Sequence, residues 1–309
     1  MRLAVPDLVS NSYFPAVAAA ELGYFRDEGL DVDLELRFPV TDAAAALRDG
    51  ELDFLAGAAH APFHVDPGWR ETRLLAALAR NMYWFLVVRA DLDPLPTRDR
   101  LDLLKGLRIG AAPGPDLGLR GLLAAAGVAP EAAGIEIAPV PGAAGDVSFG
   151  VTAARALAQG GIDAFWANGM GTEVAVREGV GKVVVDARRD GGGPALFTFP
   201  ALMTSRRLAE ERPEAAAAAT RAIVRAQRAL REDTGRATAV GRALFPVMEA
   251  ELIAGLIERD LPYYRPGLDA EALAGLAGFA RWAGLAEGVT DLAAVVPDAA
   301  RAVWQRGAA

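Results

Sequence analysis

The chain has 309 residues, 52% hydrophobic and 23% charged, which describes a folded protein long enough for two cores and excludes a disordered one. Its formal net charge of −8 argues against nucleic acid or an anionic membrane surface as its main partner. Cysteine is absent, which excludes disulfides, a thiolate nucleophile and cysteine-ligated iron or zinc.

The first residues pass directly into an expected strand over 3–5. No basic stretch, long apolar stretch and cleavage site precede it, so the sequence leaves open both a protein whose leader was removed and a cytoplasmic one. A helix over 15–22 follows, with Pro15 in its first turn, where a missing N–H costs nothing. Next come a strand over 32–37, a helix over 43–48 capped by Thr41 or Asp42, and a strand over 54–56. Two further strands are expected over 73–79 and 84–89. Strands alternating with helices at this spacing imply parallel pairing in a doubly wound sheet. The most apolar stretch, 74–88, is broken by Arg80 and Asn81. No run of about 18 apolar residues exists, so no transmembrane helix and no membrane insertion are expected.

The Pro-rich segment Asp91-Leu92-Asp93-Pro94-Leu95-Pro96 reads as a crossing into a second lobe. There, strands over 107–111, 135–138, 164–166 and 183–185 alternate with helices over 117–126, 151–158 and 172–178. Gly191-Gly192-Gly193 lacks the Lys-Ser/Thr of a phosphate loop and reads as a connection. Residues 197–203 read as the return strand. From Ser205 onward the pattern is helical. The helix over 214–231 places Arg221, Arg225 and Arg228 on one face, which the acidic balance of the chain makes a solvated face rather than an anion-binding surface.

One octapeptide pattern occurs twice, as Ala46-Leu47-Arg48-Asp49-Gly50-Glu51-Leu52-Asp53 and, 110 residues later, as Ala156-Leu157-Ala158-Gln159-Gly160-Gly161-Ile162-Asp163. Each copy reads as a helix end, a glycine free to take positive φ, and a buried strand. The segments ahead also correspond, Arg2-Leu3-Ala4-Val5 with Arg108-Ile109-Gly110-Ala111. Two copies of one βαβ plan build two similar lobes, and the cleft between such lobes is where small ligands bind.

The stretch Ser10-Asn11-Ser12-Tyr13-Phe14-Pro15, followed by Glu21-Leu22-Gly23-Tyr24-Phe25-Arg26-Asp27-Glu28-Gly29-Leu30-Asp31-Val32, resembles the start of the substrate-binding proteins of nitrate, sulfonate and thiamine-pyrimidine ABC importers. The octapeptide at Ala46 and the turn Gly57-Ala58-Ala59 continue the resemblance. It implies a type II periplasmic-binding-protein fold, an α/β architecture of two Rossmann-like lobes joined by a two-crossover hinge, with a helical C-terminus. The expected division is 1–89 with 199–309 in lobe one, and 90–198 in lobe two. The same resemblance reaches the yeast-type thiamine-pyrimidine synthase, which relies on a cysteine-rich motif and a lysine. This chain has no cysteine, and its two lysines, Lys105 and Lys182, lie far from the first-lobe loops.

Ligands of open α/β sheets bind beyond the carboxyl ends of the strands. That rule selects the loops holding Asn11, Ser12 and Tyr13, then His60, then Asp116, then Asn168. Each has a second reading. Asn11 and Ser12 also suit turns and caps, Asp116 also suits a helix N-cap, and His60 also suits a structural role. His60 and His64 are spaced for a shared helical face, but no acidic pair completes a metal motif, so no metal is expected. Asn81 and Trp84 lie where the first lobe approaches the crossing, with Trp84 a stacking partner for a planar ligand. Asp53 and Asp163 sit at the wrong strand ends for a site and suit backbone donors at the helix-to-strand turn.

The expected ligand-binding set is therefore Asn11, Ser12, Tyr13, His60, Asn81, Trp84, Asp116 and Asn168, with no catalytic residue and no cofactor. Few cations lie in these loops, Arg80 being the nearest, which favours a neutral or aromatic heterocycle over nitrate or sulfonate. The resemblance implies a monomeric periplasmic receptor that closes on a small molecule and delivers it to an ABC permease. The alternatives are a cytoplasmic enzyme of the same fold acting on a pyrimidine-type metabolite, and a ligand sensor without a transporter.

Overall fold

Each copy of the repeated octapeptide ends a helix and launches a strand. A computed structural model describes residues 1–92, 101–143, 146–286 and 294–307. Helix α3 (Val40–Arg48) ends before Gly50 at φ 78°, and strand β3 (Phe54–Ala58) follows; helix α5 (Phe149–Ala158) ends before Gly160 at φ 71°, and strand β8 (Ala164–Ala167) follows. The repeated aspartate does the same work in both. Asp53 Oδ2 accepts from the Arg2 N–H at 2.7 Å, and Asp163 Oδ2 accepts from the Arg108 N–H at 3.0 Å. Each carboxylate thus anchors the first strand of its lobe, β1 (Arg2–Val5) or β6 (Arg108–Ala111), to the strand that follows the repeat.

Ten strands make two five-stranded sheets among the described residues. The others are β2 (Asp33–Leu36), β4 (Thr72–Ala77), β5 (Phe85–Arg89), β7 (Glu136–Ala138), β9 (Gly181–Asp186) and β10 (Pro200–Ser205). The orders are β2-β1-β3-β10-β4 and β7-β6-β8-β5-β9. Helices fill the faces: α1 (Phe14–Glu21), α2 (Tyr24–Asp27) and α3 in the first lobe, and α4 (Asp116–Ala125), α5, α6 (Gly169–Arg177) and α7 (Ala187–Asp190) in the second. Leu3, Val5, Phe54, Leu55 and Leu74 form the centre of one core, and Ile109, Phe165, Trp166 and Leu86 that of the other. The fold is the expected two-lobed α/β architecture of type II periplasmic-binding proteins.

Two sequence expectations need correction. The strand ending at Arg89 belongs to the second lobe, where β5 pairs with β8 and β9. The chain therefore leaves the first lobe between β4 and β5, over 78–84, ahead of the Pro-rich segment; residues 93–96 of that segment lie outside the described residues. The turn of direction is made by Asn81 at φ 64°, a conformation asparagine tolerates better than most residues. The sheets are also not wholly parallel. β5 and β10 run antiparallel to both neighbours. Each is delivered by a crossing, so each enters its sheet from the opposite end. The return crossing occupies 197–199, between a 3₁₀ turn at Gly193–Leu196 and β10.

The N-cap of α3 is also not Thr41 or Asp42; the helix begins at Val40, and Pro39 precedes it without a side-chain cap. After β10 come α8 (Arg206–Glu211), α9 (Pro213–Glu232), α10 (Gly235–Leu244), α11 (Val247–Asp260), α12 (Ala270–Trp282) and α13 (Asp298–Gly307). The arginine face of α9 is not left to solvent. Arg221 and Arg225 reach Glu28 at 2.6 and 3.1 Å, and Arg225 also reaches Asp27 at 2.6 Å, which ties α9 to α2. Among the described residues no helix is long and apolar enough to cross a membrane.

Candidate functional site

The loops after β1, β6 and β8 converge with the crossing and the start of α3 on a cavity of about 420 Å³ between the lobes. The first lobe contributes Asp7, Ser12, Tyr13, Phe38 and Val40, and the crossing contributes Tyr83 and Trp84. The second lobe contributes Pro113, Pro115, Phe149, Trp166 and Asn168. The walls are aromatic, and no lysine, arginine or histidine lines the cavity.

The lobes are in contact across this cavity. The Leu8 N–H donates to the Val147 carbonyl at 3.0 Å, and Ser148 Oγ donates to the Val9 carbonyl at 3.2 Å. Asp7 lies at the centre of the junction. Its Oδ2 accepts from Asn168 Nδ2 at 2.8 Å and from Ser148 Oγ at 3.3 Å. Its Oδ1 makes no hydrogen bond. With 6% exposure, burial pushes this carboxyl up to about 8, an effect partly offset by Ser148, by the amides of Gly150 and Phe149 at the start of α5, and by Asn168.

Two glycines make this geometry possible. A Cβ on Gly171 would stand 2.2 Å from the Gly150 carbonyl oxygen, and one on Gly150 would stand 2.7 Å from Asn168 Oδ1. The N-termini of α5 and α6 therefore pack backbone to backbone, which brings Phe149 and Asn168 to the same carboxylate. Asn168 is also the N-cap of α6. Its Oδ1 accepts from the N–H groups of Met170 at 2.9 Å and Gly171 at 3.2 Å, so its amide nitrogen is left to face Asp7. The expected helix start at 172 moves to Gly169 for this reason.

Of the eight residues expected to bind ligand, the structure brings Ser12, Tyr13, Trp84 and Asn168 to the cavity. Ser12 Oγ is buried and has no partner. Tyr13 and Tyr83 share a hydroxyl contact of 3.0 Å with their rings edge to face, and burial raises both phenols above their ordinary range. Trp84 packs at 4.5 Å from the Tyr83 ring and 6.0 Å from Trp166, whose indole N–H donates to the Pro115 carbonyl.

The other four face elsewhere. Asn11 Nδ2 donates to Asp260 Oδ2 at 2.6 Å, and Asp260 Oδ1 pairs with Arg188 at 2.6 Å; this buried cluster joins the C-terminal helices to the second lobe beside the cavity. His60 is fully buried. Its Nε2–H donates to the Gly114 carbonyl at 3.0 Å, so Nδ1 accepts from the Thr198 hydroxyl at 2.9 Å. Burial, then the neighbouring His64, lowers His60 to about 3, and it stays neutral. It joins lobe one, the return crossing and lobe two instead of meeting a ligand. Asn81 shapes the first crossing and does not line the cavity. Asp116 is not an N-cap but the first residue of α4; its Oδ1 accepts from the Gly114 N–H at 3.0 Å, and Oδ2 pairs with Arg120 at 3.3 Å. Arg80 pairs with Asp269 and stands away from the cavity.

Asp7, Tyr83, Trp166, Phe38 and Phe149 are the lining residues absent from the expected set. The strand-end rule already pointed at Asp7, the first ionisable side chain after β1. Among the described residues no group of histidine and acidic side chains is arranged to hold a metal ion.

A family model described as the NMT1-like family matches residues 8–244. No curated protein matches the chain. Among solved structures, a protein of Bordetella bronchiseptica RB50 shares 21% identity over 100% of this chain and 98% of its own, with a TM-score of 0.74. The alkanesulfonate-binding protein SsuA of Xanthomonas axonopodis pv. citri, bound to MOPS, shares 16% over 96% and 97%, with a TM-score of 0.71. The desulfurization enzyme DSZB, in complex with biphenyl-2-sulfinic acid, shares 19% over 99% of both chains, with a TM-score of 0.67. At these identities the likeness is one of fold.

Proposed function

This chain belongs to the NMT1-like family, and from that premise we propose that it is the solute-binding component of an ABC-type importer. It encloses a small ring-shaped ligand between its lobes and presents the closed form to a permease, acting as a monomer in the periplasm. The observation that carries this reading is the interlobe cavity, lined from both lobes and walled by Tyr13, Tyr83, Trp84 and Trp166. A ligand touching both lobes selects the closed state through its differential contacts. The fold likeness to the alkanesulfonate-binding protein supports the same role.

A second reading is an enzyme on this fold, and the likeness to DSZB favours it. The cavity argues for the first. Acid–base chemistry needs a positioned pair of groups with suitable proton affinities. Here Asp7 stands with two tyrosines whose phenols burial holds neutral. Native mass spectrometry of the purified protein tests the reading by identifying a retained ligand. That ligand, returned to the protein, is expected to compact it in small-angle scattering and to be recovered unchanged. Catalytic conversion of the ligand would replace the receptor with the enzyme.

A further inference from the structure

The closed cleft holds one ionisable acid and no counter-charge. Asp7 follows β1 in the first lobe, whereas Ser148, Asn168 and the α5 amides that approach it all belong to the second. Separating the lobes returns the carboxyl to water; joining them seals it, with Oδ1 still unpartnered. The titratable groups that face it are Tyr13 and Tyr83, both neutral. The buried Arg188 is engaged by Asp260 and does not line the cavity. Beside Asp7, Ser12 Oγ is a second buried polar atom without a partner.

A buried carboxylate is costly unless it is paired with a positive charge or hydrogen-bond donors. Its surroundings here offer donors to one oxygen and leave the other open. The remaining walls present π faces, which attract cations and stack on planar rings. An anionic ligand would instead set like charges together in a desolvated space.

We propose that the cavity selects a ring compound bearing a positively charged nitrogen, an ammonium or amidinium, that donates to Asp7 Oδ1 and Ser12 Oγ between the aromatic walls. Neutralisation of Asp7 is then what makes the closed form accessible to the right ligand. The inference rests on the cavity being the ligand site, as in the receptor reading. It departs from the neutral heterocycle that scarcity of loop cations suggested, because the sequence did not reveal an acid in the cavity.

Calorimetric titration with a series of probes of similar shape tests it. Benzamidine and benzylamine are expected to bind at least about tenfold tighter than benzamide and benzyl alcohol, the scale of one charge-assisted hydrogen bond. Benzenesulfonate is expected not to bind. In Asp7→Asn the preference for cations should collapse to within about threefold, while the ligand-free melting temperature stays level or rises. Binding of benzamide or benzenesulfonate to the wild type as tight as that of benzamidine would overturn the inference, as would no binding of either cation at millimolar concentration. If benzenesulfonate binds and compacts the protein in scattering, the charge inference fails and the receptor reading stands. If a cationic probe binds preferentially but is converted to a product, the receptor reading fails and the charge inference stands.

Discussion

Asn11 and Asn168 look alike in the sequence, each a polar residue beyond a strand, yet they hold different parts of the molecule. Asn168 caps α6 with its oxygen and reaches Asp7 with its nitrogen. Asn11 gives its nitrogen to Asp260 beneath a buried ion pair. Replacing Asn168 by alanine is expected to weaken ligand binding by about tenfold to a hundredfold and to lower helix stability by about 1 kcal/mol. Replacing Asn11 by alanine is expected to cost about 1–3 kcal/mol of stability, with the smaller effect on affinity. Calorimetric titration and denaturant melts of both variants separate the two roles; equal loss of affinity would place Asn11 at the ligand after all. Nothing in the sequence distinguishes these asparagines, because side-chain direction depends on how the loop after β1 packs against a helix 249 residues away. Asp7 was open to inference from strand order alone. The notable polar-aromatic stretch beginning at Ser10 drew the reading past it.

At the level of elements, the repeated octapeptide was the most legible feature, because its chemistry is local. A helix end, a positive-φ glycine and an aspartate bonded to a strand N–H all fall within a few residues. The contacts between elements were not legible in the same way. Gly171 carries no motif, yet its lack of a side chain lets α6 meet α5. The two glycine classes should therefore respond differently to alanine. At Gly160, where a Cβ meets nothing within 4 Å, the substitution strains only the backbone and should cost about 1 kcal/mol without changing affinity. At Gly171 the Cβ meets a carbonyl oxygen at 2.2 Å, so the helix N-termini must part and carry Phe149 and Asn168 off the cavity. Ligand affinity should fall with stability there. A Gly171→Ala variant that binds normally would show that the α5–α6 approach does not set the site. The exchange of β5 and β10 was hidden for a related reason. An apolar run reports that a strand is buried, not which sheet receives it.

For the whole molecule, closure changes the environment of two titratable groups in opposite senses. The closed-state value of Asp7 lies near 8, above its ordinary carboxylate value, so its protonation favours the closed ligand-free form at low pH, and that contribution is lost as pH rises toward 8. The closed-state value of His60 lies near 3, below its ordinary value near 6.5, so the closed form is favoured above about 6.5 and loses this contribution as pH falls toward 3. The ligand-free closed population should therefore grow from pH 8 to about 6.5 and then level off as the two effects oppose each other. Small-angle scattering across pH 4.5–9 measures it; a closed population that rises with pH above 6.5 would contradict the burial of Asp7. The two-lobed plan itself was legible from the repeat, whereas the first crossing was not, since prolines at 94 and 96 mark a conspicuous break and Asn81 an inconspicuous one. That crossing has a mechanical consequence. Residues 78–84 and 197–199 are each bounded by a strand or a 3₁₀ turn, and β5 and β10 sit inside the sheets they enter, not at their margins. The tethers thus carry almost no slack. The lobes can swing about a shared pivot, but they cannot drift apart, and the mouth of the cleft must open as a jaw does, widest at the end farthest from the joint.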